Sequence, residues 1–386
     1  MGARGHGGRG SSIAAAWKVH PLGRGRRAAE GMMTSRERVY RCLEFTGPDR
    51  LPRNLWVLPR VEQDSPDEVA AVRREFPGDI TGPGTILGPR GYVLARGHRC
   101  RGGPYKTGVY VDEWGCIWEC KEDGVIGEVK RPPLAEWFAL DHYRLPWETL
   151  EGADWDAVDR AQRENLAGPK QFMLCGTGVR PFERMQFLRG TENLYVDLAY
   201  GTAEVRALCD RVHEFFMKEL DGWVRTDCDG ISFQDDWGAQ DALLVSPDLW
   251  RDLFKPLYKA YCEVIHAGGK KAFMHSDGHI AAIYEDLVEV GVDAVNSQLF
   301  CMDIEDLGRR FKGRITFWGE IDRQHVLPFG TAREVRAAVG RVRRAFEDPS
   351  GGLIAQFEWG ANNPVENVRA CLEAWDTPLE QLPASG

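Results

Sequence analysis

From about residue 170 onward, short apolar runs alternate with longer amphipathic segments. This alternation is typical of repeated βα units and predicts a parallel sheet. The predicted strands are 171–176, 230–234, 271–275, 294–298, 315–319 and 353–357, preceded by 53–57. Seven or eight parallel strands favour an α/β fold of the (β/α)8 TIM-barrel type. An open doubly wound sheet is the competing architecture, but no GxGxxG motif follows a predicted strand.

The segments between these strands carry signals that begin and end helices. Ser246 caps a predicted helix over 247–266 that has Pro247 at its first position, and Gly268-Gly269 ends it. Further helices are predicted over 280–290, 332–346 and 364–375. This order of strands and helices is the one that a barrel requires.

Two segments depart from the alternation. Residues 1–32 are rich in Gly and Arg and hold one acidic residue, Glu30, so we expect a disordered extension or a start assigned too far upstream. The barrel domain is expected over 33–380. Residues from about 90 to 150 predict short antiparallel strands, interpreted as a β-rich insertion or lid over one end of the barrel. A hairpin that plugs the barrel bottom is the alternative.

Charge and cysteine spacing restrict the partners and the compartment. The chain has 49 Lys and Arg against 58 Asp and Glu, which disfavours nucleic acid as a ligand. No stretch approaches the roughly 20 apolar residues of a membrane-spanning helix, so a membrane is not expected either. The ten cysteines form no CxxC pair, and we expect reduced thiols in a cytoplasmic protein.

In a parallel barrel the loops that follow the strands converge at one end, and the chemistry lies there. Most of the predicted strands end in groups that coordinate metals or transfer protons. These ends are Gln234-Asp235-Asp236-Trp237, His275-Ser276-Asp277, Asn296-Ser297-Gln298, Gly319-Glu320-Ile321-Asp322 and Phe357-Glu358-Trp359. The sequence therefore predicts a functional site at the C-terminal end of the barrel.

His275 and Asp277 are the first candidates for a metal site. They are two residues apart on a strand, so their side chains point to the same side. Imidazole and carboxylate together bind a divalent metal, and Glu358 is the predicted third ligand. Two alternatives stay open: His275 takes part in metal-free acid–base catalysis, or it is a structural histidine while Asp277 caps a helix.

Other strand-end residues are candidates for proton transfer and substrate binding. The predicted catalytic groups are His275, Asp235, Asp236 and Asp322. Alternatively, one of the adjacent aspartates 235 and 236 caps a helix, and Asp322 caps the turn that follows it. Flat or apolar substrates are held by aromatic walls next to polar groups. The predicted substrate contacts are Trp56, Trp237, Gln298, Glu320 and Trp359. Tryptophans in such positions are also common in plain cores.

Four segments resemble the uroporphyrinogen decarboxylase (URO-D) superfamily, in order and at appropriate spacing. They are MTSRERVYRCLEFTGPDRLPRN, SPDLWRDLFKPLYKAYCEVIHAGGKKAFMHSDGHI, WGEIDRQHVLPFGTAREV and NPVENVRACLEAW. The resemblance covers about residues 33 to 376. It implies a (β/α)8 barrel with its cleft at the C-terminal face, but not one particular reaction.

One branch of that superfamily removes acetate carboxyl groups from uroporphyrinogen III without a cofactor. Its members carry an N-terminal motif with an RQAGR core, which helps to bind the substrate carboxylates. The equivalent stretch here is Arg53-Asn54-Leu55-Trp56-Val57-Leu58-Pro59-Arg60, and the core is missing. An octa-acid also requires an arginine-lined pocket, whereas these strand ends are acidic. Decarboxylation, with a porphyrin-type substrate and lyase chemistry, is therefore the second choice.

The other branch consists of corrinoid-dependent methyltransferases. Their zinc site resembles His-x-Cys on one strand and a Cys on the last strand. His275 matches that histidine, Asp277 stands where the first cysteine would be, and Glu358 lies near the place of the second. Two carboxylates in place of two thiolates make a harder site that is less suited to a thiol.

The resemblance and the strand ends together lead to one expectation. The chain is expected to be a methyltransferase-like enzyme that moves a methyl group from a small methylated oxygen or nitrogen donor to or from a corrinoid. A divalent metal, zinc first, is the expected cofactor, and the corrinoid is expected on a partner protein. A second copy of the chain is a further candidate partner. A barrel that binds a small molecule without turnover is the non-catalytic alternative.

Overall fold

The computed structural model describes residues 33–87 and 101–384. Its strands in chain order are β1 (Arg53–Val57), β2 (Ile80–Thr81), β3 (Arg101–Gly103), β4 (Lys106–Val111), β5 (Ile117–Cys120), β6 (Glu128–Arg131), β7 (Phe172–Gly176), β8 (Gly230–Gln234), β9 (Lys271–Ser276), β10 (Ala294–Ser297), β11 (Thr316–Trp318) and β12 (Leu353–Trp359). Eight of them form a nearly closed barrel in the order β1-β12-β11-β10-β9-β8-β7-β2, and all neighbouring pairs are parallel. The predicted (β/α)8 barrel is confirmed.

The helices surround this barrel. They are α1 (Ser35–Leu43), α2 (Pro59–Asp64), α3 (Pro66–Glu75), α4 (Glu148–Glu151), α5 (Trp155–Ala167), α6 (Pro181–Arg189), α7 (Thr191–Tyr200), α8 (Ala203–Trp223), α9 (Pro247–Leu253), α10 (Lys255–Ala267), α11 (Tyr284–Val290), α12 (Ile304–Phe311), α13 (Val326–Phe329), α14 (Ala332–Phe346) and α15 (Val365–Asp376). Local signals begin several of them, such as the capping box of Thr331 and Glu334 at α14.

The single helix predicted over 247–266 is wrong, because the structure has two helices there. Pro256 lies in the first turn of α10, and proline lacks the N–H that would continue the hydrogen bonds of α9. The helix predicted over 280–290 likewise begins with a 3-10 turn at Ala281–Ile283 before α11.

The N-terminal end of the barrel is closed by α1. Val39, Cys42 and Leu43 on this helix are buried in one cluster with side chains from five strands. The strand residues of that cluster are Phe172, Phe273, Ala294, Trp318 and Ile354. Because α1 fills this end, the opposite, C-terminal end is the one left for a site.

A four-stranded antiparallel sheet, β3-β4-β5-β6, lies within the predicted insertion. The turn between β4 and β5 packs on α8, where Trp114 meets Phe215 with ring centroids 4.6 Å apart. Glu113 and Trp114 line a cavity together with Gly176 and Thr177, at the C-terminal end of β7. The sheet therefore lies at the C-terminal end of the barrel. The predicted extension 1–32 lies outside the described residues, as do residues 90–100 at the start of the predicted insertion.

No helix within the described ranges is long and apolar enough to cross a membrane.

Candidate active site

The loops after β8 and β9 are joined by hydrogen bonds from backbone N–H groups. The N–H of Gly238 donates to the carbonyl oxygen of Asp277 at 3.0 Å, and the N–H of Asp277 donates to Oδ1 of Asp236 at 2.9 Å. Gly278 has φ +76°, and a Cβ at this position would collide with the backbone of Gly238. Only glycine permits this close approach. The contact brings Asp236 and Asp277 together beside His275.

His275 is held in one orientation by Asn296. The amide nitrogen of Asn296 donates to the carbonyl oxygen of Trp318 at 2.5 Å and to Oε1 of Gln356 at 2.9 Å, so its Oδ1 must accept from Nδ1 of His275, 2.6 Å away. A neutral His275 therefore carries its proton on Nδ1 and directs the lone pair of Nε2 into the site. The edge of Trp56 packs against the imidazole, with ring centroids 5.3 Å apart.

Three potential ligand atoms, one each from Asp236, His275 and Asp277, lie close together. Nε2 lies 3.7 Å from Oδ1 of Asp236 and 3.5 Å from Oδ1 of Asp277, and ligand atoms of the three residues lie within 4.8 Å of one another. Oδ1 of Asp277 is buried and has no hydrogen-bond partner among the described residues. Two carboxylates and an imidazole that all present lone pairs to one point fit a divalent cation.

The predicted third ligand, Glu358, is not a member of this cluster. Its Oε1 instead accepts from Nη1 of Arg323 at 3.2 Å, and Asp236 takes the third position. The register explains the difference, because Glu358 is on β12 next to β1, whereas Asp236 follows β8 and is adjacent to His275 on β9.

Arg323 was missed by the sequence reasoning. It donates to Oδ2 of Asp277, pairs with Glu358, and its Nε lies 3.4 Å from Oε1 of Glu320. The guanidinium thereby turns Asp277 so that its other oxygen faces His275. The signal available in the sequence was a basic residue directly after the Gly319–Asp322 strand end.

Glu320 is a buried acid within the site. It is 3% exposed, and neither carboxylate oxygen has a hydrogen bond from the described residues, although Nε of Arg323 lies 3.4 Å from Oε1. Burial raises the pKa of Glu320 to about 8; the positive charge of Arg323 opposes this rise, and the negative charges of Asp277 and Glu358 add to it. Glu320 therefore holds a proton near neutral pH.

The two neighbouring aspartates have different positions. Asp236 faces the site, whereas Asp235 is fully buried and caps α6, accepting from the N–H groups of Phe182 and Glu183 at 2.8 Å each. The hydroxyl of Tyr258 donates to the same carboxylate at 2.6 Å. The prediction of Asp235 as a catalytic group is therefore corrected to a helix cap. Burial, with the nearby charge of Glu183, raises its pKa well above the ordinary value.

Both predicted tryptophan walls are core residues. Trp237 is 0% exposed, stacks on Phe182 with ring centroids 4.2 Å apart, and donates its indole N–H to the hydroxyl of Tyr258. Trp359 is 3% exposed. Since neither indole reaches solvent, the assignment of these residues as substrate contacts is corrected.

Gln298, Glu320 and Asp322 line a small pocket beside the cluster. Oε1 of Gln298 accepts from the N–H of Gly278 at 3.0 Å. Oδ1 of Asp322 accepts from the N–H groups of Gln324 and His325 at 2.9 and 2.8 Å, so Asp322 caps the turn that precedes α13. Its Oδ2 makes no bond to the backbone of the described residues and lies 3.5 Å from Nδ1 of His325, so a catalytic role for Asp322 stays a prediction.

Glu183 in the first turn of α6 is a second residue that the sequence reasoning missed. Burial raises its pKa, with Arg180 opposing the rise and the charge of Asp236 adding to it; His275 also lies near enough to affect it. Its Oε2 is buried, has no hydrogen bond from the part of the chain that the structure describes, and lies 3.8 Å from Nη1 of Arg180. No pattern of strand ends could have found Glu183, because it reaches the site from a helix.

The fold and site together define a (β/α)8 barrel with an acidic, histidine-containing cluster at the C-terminal ends of its strands. Residues 115–377 match the family model described as uroporphyrinogen decarboxylase (URO-D). The chain therefore belongs to the uroporphyrinogen decarboxylase family. No curated protein matches the sequence.

Solved structures share the fold at low sequence identity. A methyltransferase from Methanosarcina mazei has a TM-score of 0.66 at 15% identity, over 89% of this chain and 99% of that one. An endo-beta-1,4-xylanase from Gloeophyllum trabeum has a TM-score of 0.41 at 10% identity, over 89% of this chain and 99% of that one. At such identities the likeness to the methyltransferase concerns the fold.

Proposed function

We propose that this URO-D family barrel transfers a methyl group from a small methylated oxygen or nitrogen donor to a corrinoid carried by a partner protein. The observation that carries the proposal is the convergence of Nε2 of His275 with the carboxylates of Asp236 and Asp277. The same three residues would hold a divalent cation, with zinc as the first candidate. When bound, such a cation supplies Lewis-acid polarisation of the donor heteroatom.

The chain's own residues fix the geometry of this site. Asn296 keeps the imidazole of His275 in one tautomer, and Arg323 keeps Asp277 turned toward it. Outer hydrogen bonds of this kind orient the ligands of metal sites and tune their basicity. Trp56 covers one side of the imidazole and limits its contact with water.

Glu320 is the proposed proton donor. When a methyl group leaves an ether oxygen or an amine, the electron pair of the broken bond stays on the heteroatom, which then takes a proton unless it was already charged. Glu320 holds a proton near neutral pH, and within residues 33–87 and 101–384 no hydrogen bond to its carboxyl group competes for that proton. It replaces Asp235 in this role, because both oxygens of Asp235 accept from backbone N–H groups at the start of α6.

Decarboxylation of uroporphyrinogen is disfavoured by the charge of the site. Asp236, Asp277, Glu320 and Glu358 gather at the strand ends, and Arg323 is already paired with three of them. Glu320 holds a proton and adds no charge near neutral pH, but a substrate with many carboxylates would meet the negative charges of Asp236, Asp277 and Glu358 there, which costs several kcal/mol without compensating partners.

Two measurements test the proposal. The first is elemental analysis of purified wild type, His275→Ala, Asp236→Ala and, as a control at an exposed position, His142→Ala. About one divalent metal per chain in wild type and His142→Ala, and little in the other two variants, is expected. Full metal content in His275→Ala and Asp236→Ala would contradict the metal site.

The second measurement follows methylcobalamin formation from cob(I)alamin by absorbance, with methoxylated and N-methylated donors. Wild type is expected to form methylcobalamin with at least one class of donor, and His275→Ala to lose it. Blank assays from a preparation that decarboxylates uroporphyrinogen would refute methyl transfer and favour the family's lyase chemistry.

A further inference from the structure

A separate pocket lies on the outer side of α8, between that helix, α4 and the first residue of α5. Its volume is about 200 Å³ within the described part of the chain. The side chains that line this outer pocket belong to Trp147, Leu150, Glu151, Trp155, Lys218 and Arg225. The large cavity beside Glu113 and Trp114 is lined by a different face of α8, so the two places are distinct, although Leu150 lines both.

Two tryptophan rings belong to the apolar wall of the outer pocket, and both are supported from behind. Trp147 packs against Phe215 with ring centroids 5.2 Å apart, and Trp155 meets Trp223 edge-on at the same distance. Trp155 can lie directly on α8 because an added Cβ at Gly222 would come within 2.4 Å of the indole. The wall is therefore preformed, which lowers the cost of ordering it around a ligand.

The polar groups of the outer pocket are mainly donors that lack partners. The indole N–H groups of Trp147 and Trp155 have no acceptor among the described residues. Lys218 and Arg225 are exposed and form no ion pair within residues 33–87 and 101–384. Ammonium, guanidinium and indole N–H groups all donate and cannot accept, so a ligand that satisfies them must present acceptors.

The charge of the outer pocket favours a ligand with a single negative charge. Lys218 and Arg225 carry two positive charges, and Glu151 is the one acid among the described lining residues. One positive charge therefore remains, which a carboxylate balances, whereas a phosphate group would bring a charge of about −1.5 to −2. The excess is local, because the whole chain has a net charge of -9.

We propose that the outer pocket binds a small organic monoanion, whose carboxylate pairs with Lys218 and Arg225 while its apolar body lies against Trp147 and Trp155. The volume lies below the range of about 300–1,000 Å³ for drug-sized ligands, so that body is a single small ring or a short chain. The site lies apart from the cluster at His275, and the inference does not depend on the proposed function.

The test is calorimetric binding to the full chain at low salt, with cyclohexanecarboxylate and its neutral amide, cyclohexanecarboxamide, as probes of similar shape. Wild type is expected to bind the carboxylate at least about threefold more tightly than the amide, because two exposed charge pairs add to its affinity. Since salt screens exposed charges, this preference should shrink at about 1 M ionic strength.

Variants of the lining residues localise the site. The double variant Lys218→Gln/Arg225→Gln is expected to abolish the preference for the carboxylate. Glu151→Gln removes the opposing charge and is expected to tighten carboxylate binding by about two- to fivefold. Arg206→Gln on α8 and Glu148→Gln on α4 lie outside the pocket and should leave both affinities unchanged. All five side chains are exposed, so these variants should fold as wild type does.

Equal or tighter binding of the amide to wild type, or no binding of the carboxylate at millimolar concentration, would overturn the proposal. A carboxylate preference that survives in the double variant would also overturn it. Loss of that surviving preference in Arg180→Gln would then place the ligand in the large cavity, which Arg180 lines. Failure of the proposed function is distinct, because this binding test requires neither a methyl donor nor a corrinoid.

Discussion

Asn296 controls His275 through a single hydrogen bond. Asn296→Leu leaves Nδ1 of His275 without its acceptor, so the ring can rotate or change tautomer. We expect zinc affinity to fall by about 10- to 100-fold, the usual effect of losing such an outer partner. Competition with a chromophoric chelator measures the affinity.

Two further variants separate orientation from general damage. Asn296→Asp keeps an acceptor for Nδ1 and should retain more affinity than Asn296→Leu. Asn193→Ala changes an exposed asparagine and should have no effect. Unaltered zinc binding in a folded Asn296→Leu protein would show that the imidazole is held by other contacts.

Glu320 gives the stability of the fold a defined pH dependence. Burial raises its pKa from 4.5 to about 8, so the folded chain keeps a proton that the unfolded chain releases. The stability that this group contributes is therefore full below about pH 4.5 and is lost as the pH rises toward about 8. Glu320→Gln cannot ionise, so its free energy of unfolding relative to wild type should rise over this window, by up to about 1.4 kcal/mol per pH unit.

Urea unfolding of wild type and Glu320→Gln at about pH 5 and about pH 8 measures this difference. Glu148→Gln, at an exposed position of α4, is the control and should follow wild type at both pH values. A stability difference that does not change with pH would mean that Glu320 titrates as an ordinary glutamate.

At the level of the elements, two glycines with the same backbone conformation allow a matched comparison. Gly278 has φ +76° and meets the backbone of Gly238, whereas Gly269 has φ +72° and an added methyl group there would meet no atom within 4 Å. Gly269→Ala should cost about 1–2 kcal/mol, the strain of the left-handed region alone. Gly278→Ala should cost more, and it should also weaken metal binding, because it separates the loops that carry Asp236 and Asp277.

Thermal unfolding and metal content of the two variants measure the outcome. Equal destabilisation, with full metal content in both, would mean that the contact between the two loops does not define the site.

The elements also mark the limit of what the sequence predicted. Apolar runs and caps located the barrel strands after residue 170, because these signals are local. The break between α9 and α10 coincides with Pro256, which is likewise a local signal in the sequence. Which residues meet across the barrel depends on register and loop contacts. The sequence therefore predicted that His275 and Asp277 lie together, but it indicated Glu358 rather than Asp236 as their third partner. The burial of Trp237 and Trp359 could not be predicted, because sequence position does not reveal whether an indole points into the barrel or into the helix layer.

At the scale of the whole molecule, the carboxylate of Asp79 stabilises the seam of the barrel, which is the place where its two edge strands, β1 and β2, come next to each other. Asp79 is 0% exposed, accepts from the N–H of Arg53 at 2.7 Å, and pairs with Arg38 at 2.6 Å and Arg50 at 2.7 Å. Asp79→Asn removes the buried charge that the two arginines share, but Arg38 keeps its pair with Asp49 and Arg50 is partly exposed, so the expected cost is about 1–3 kcal/mol. Asp252→Asn, which breaks an exposed pair with Arg206, should cost about 1 kcal/mol or less.

Denaturant unfolding compares the two variants. Similar costs for both would mean that the backbone contacts across the seam are sufficient without the carboxylate.

The pairing of β1 with β12 joins the first and the last strand of the barrel, Arg53 with Ala355 through Val57 with Trp359. On a ribosome that adds about 5–20 residues per second, the chain between them takes from about 15 seconds to a minute to make. Throughout that time the nascent sheet has an open edge at β1, and open edges invite pairing with other chains. Translation speed and chaperone supply should therefore govern the yield of this barrel more strongly than that of a protein whose neighbouring strands are all close in sequence.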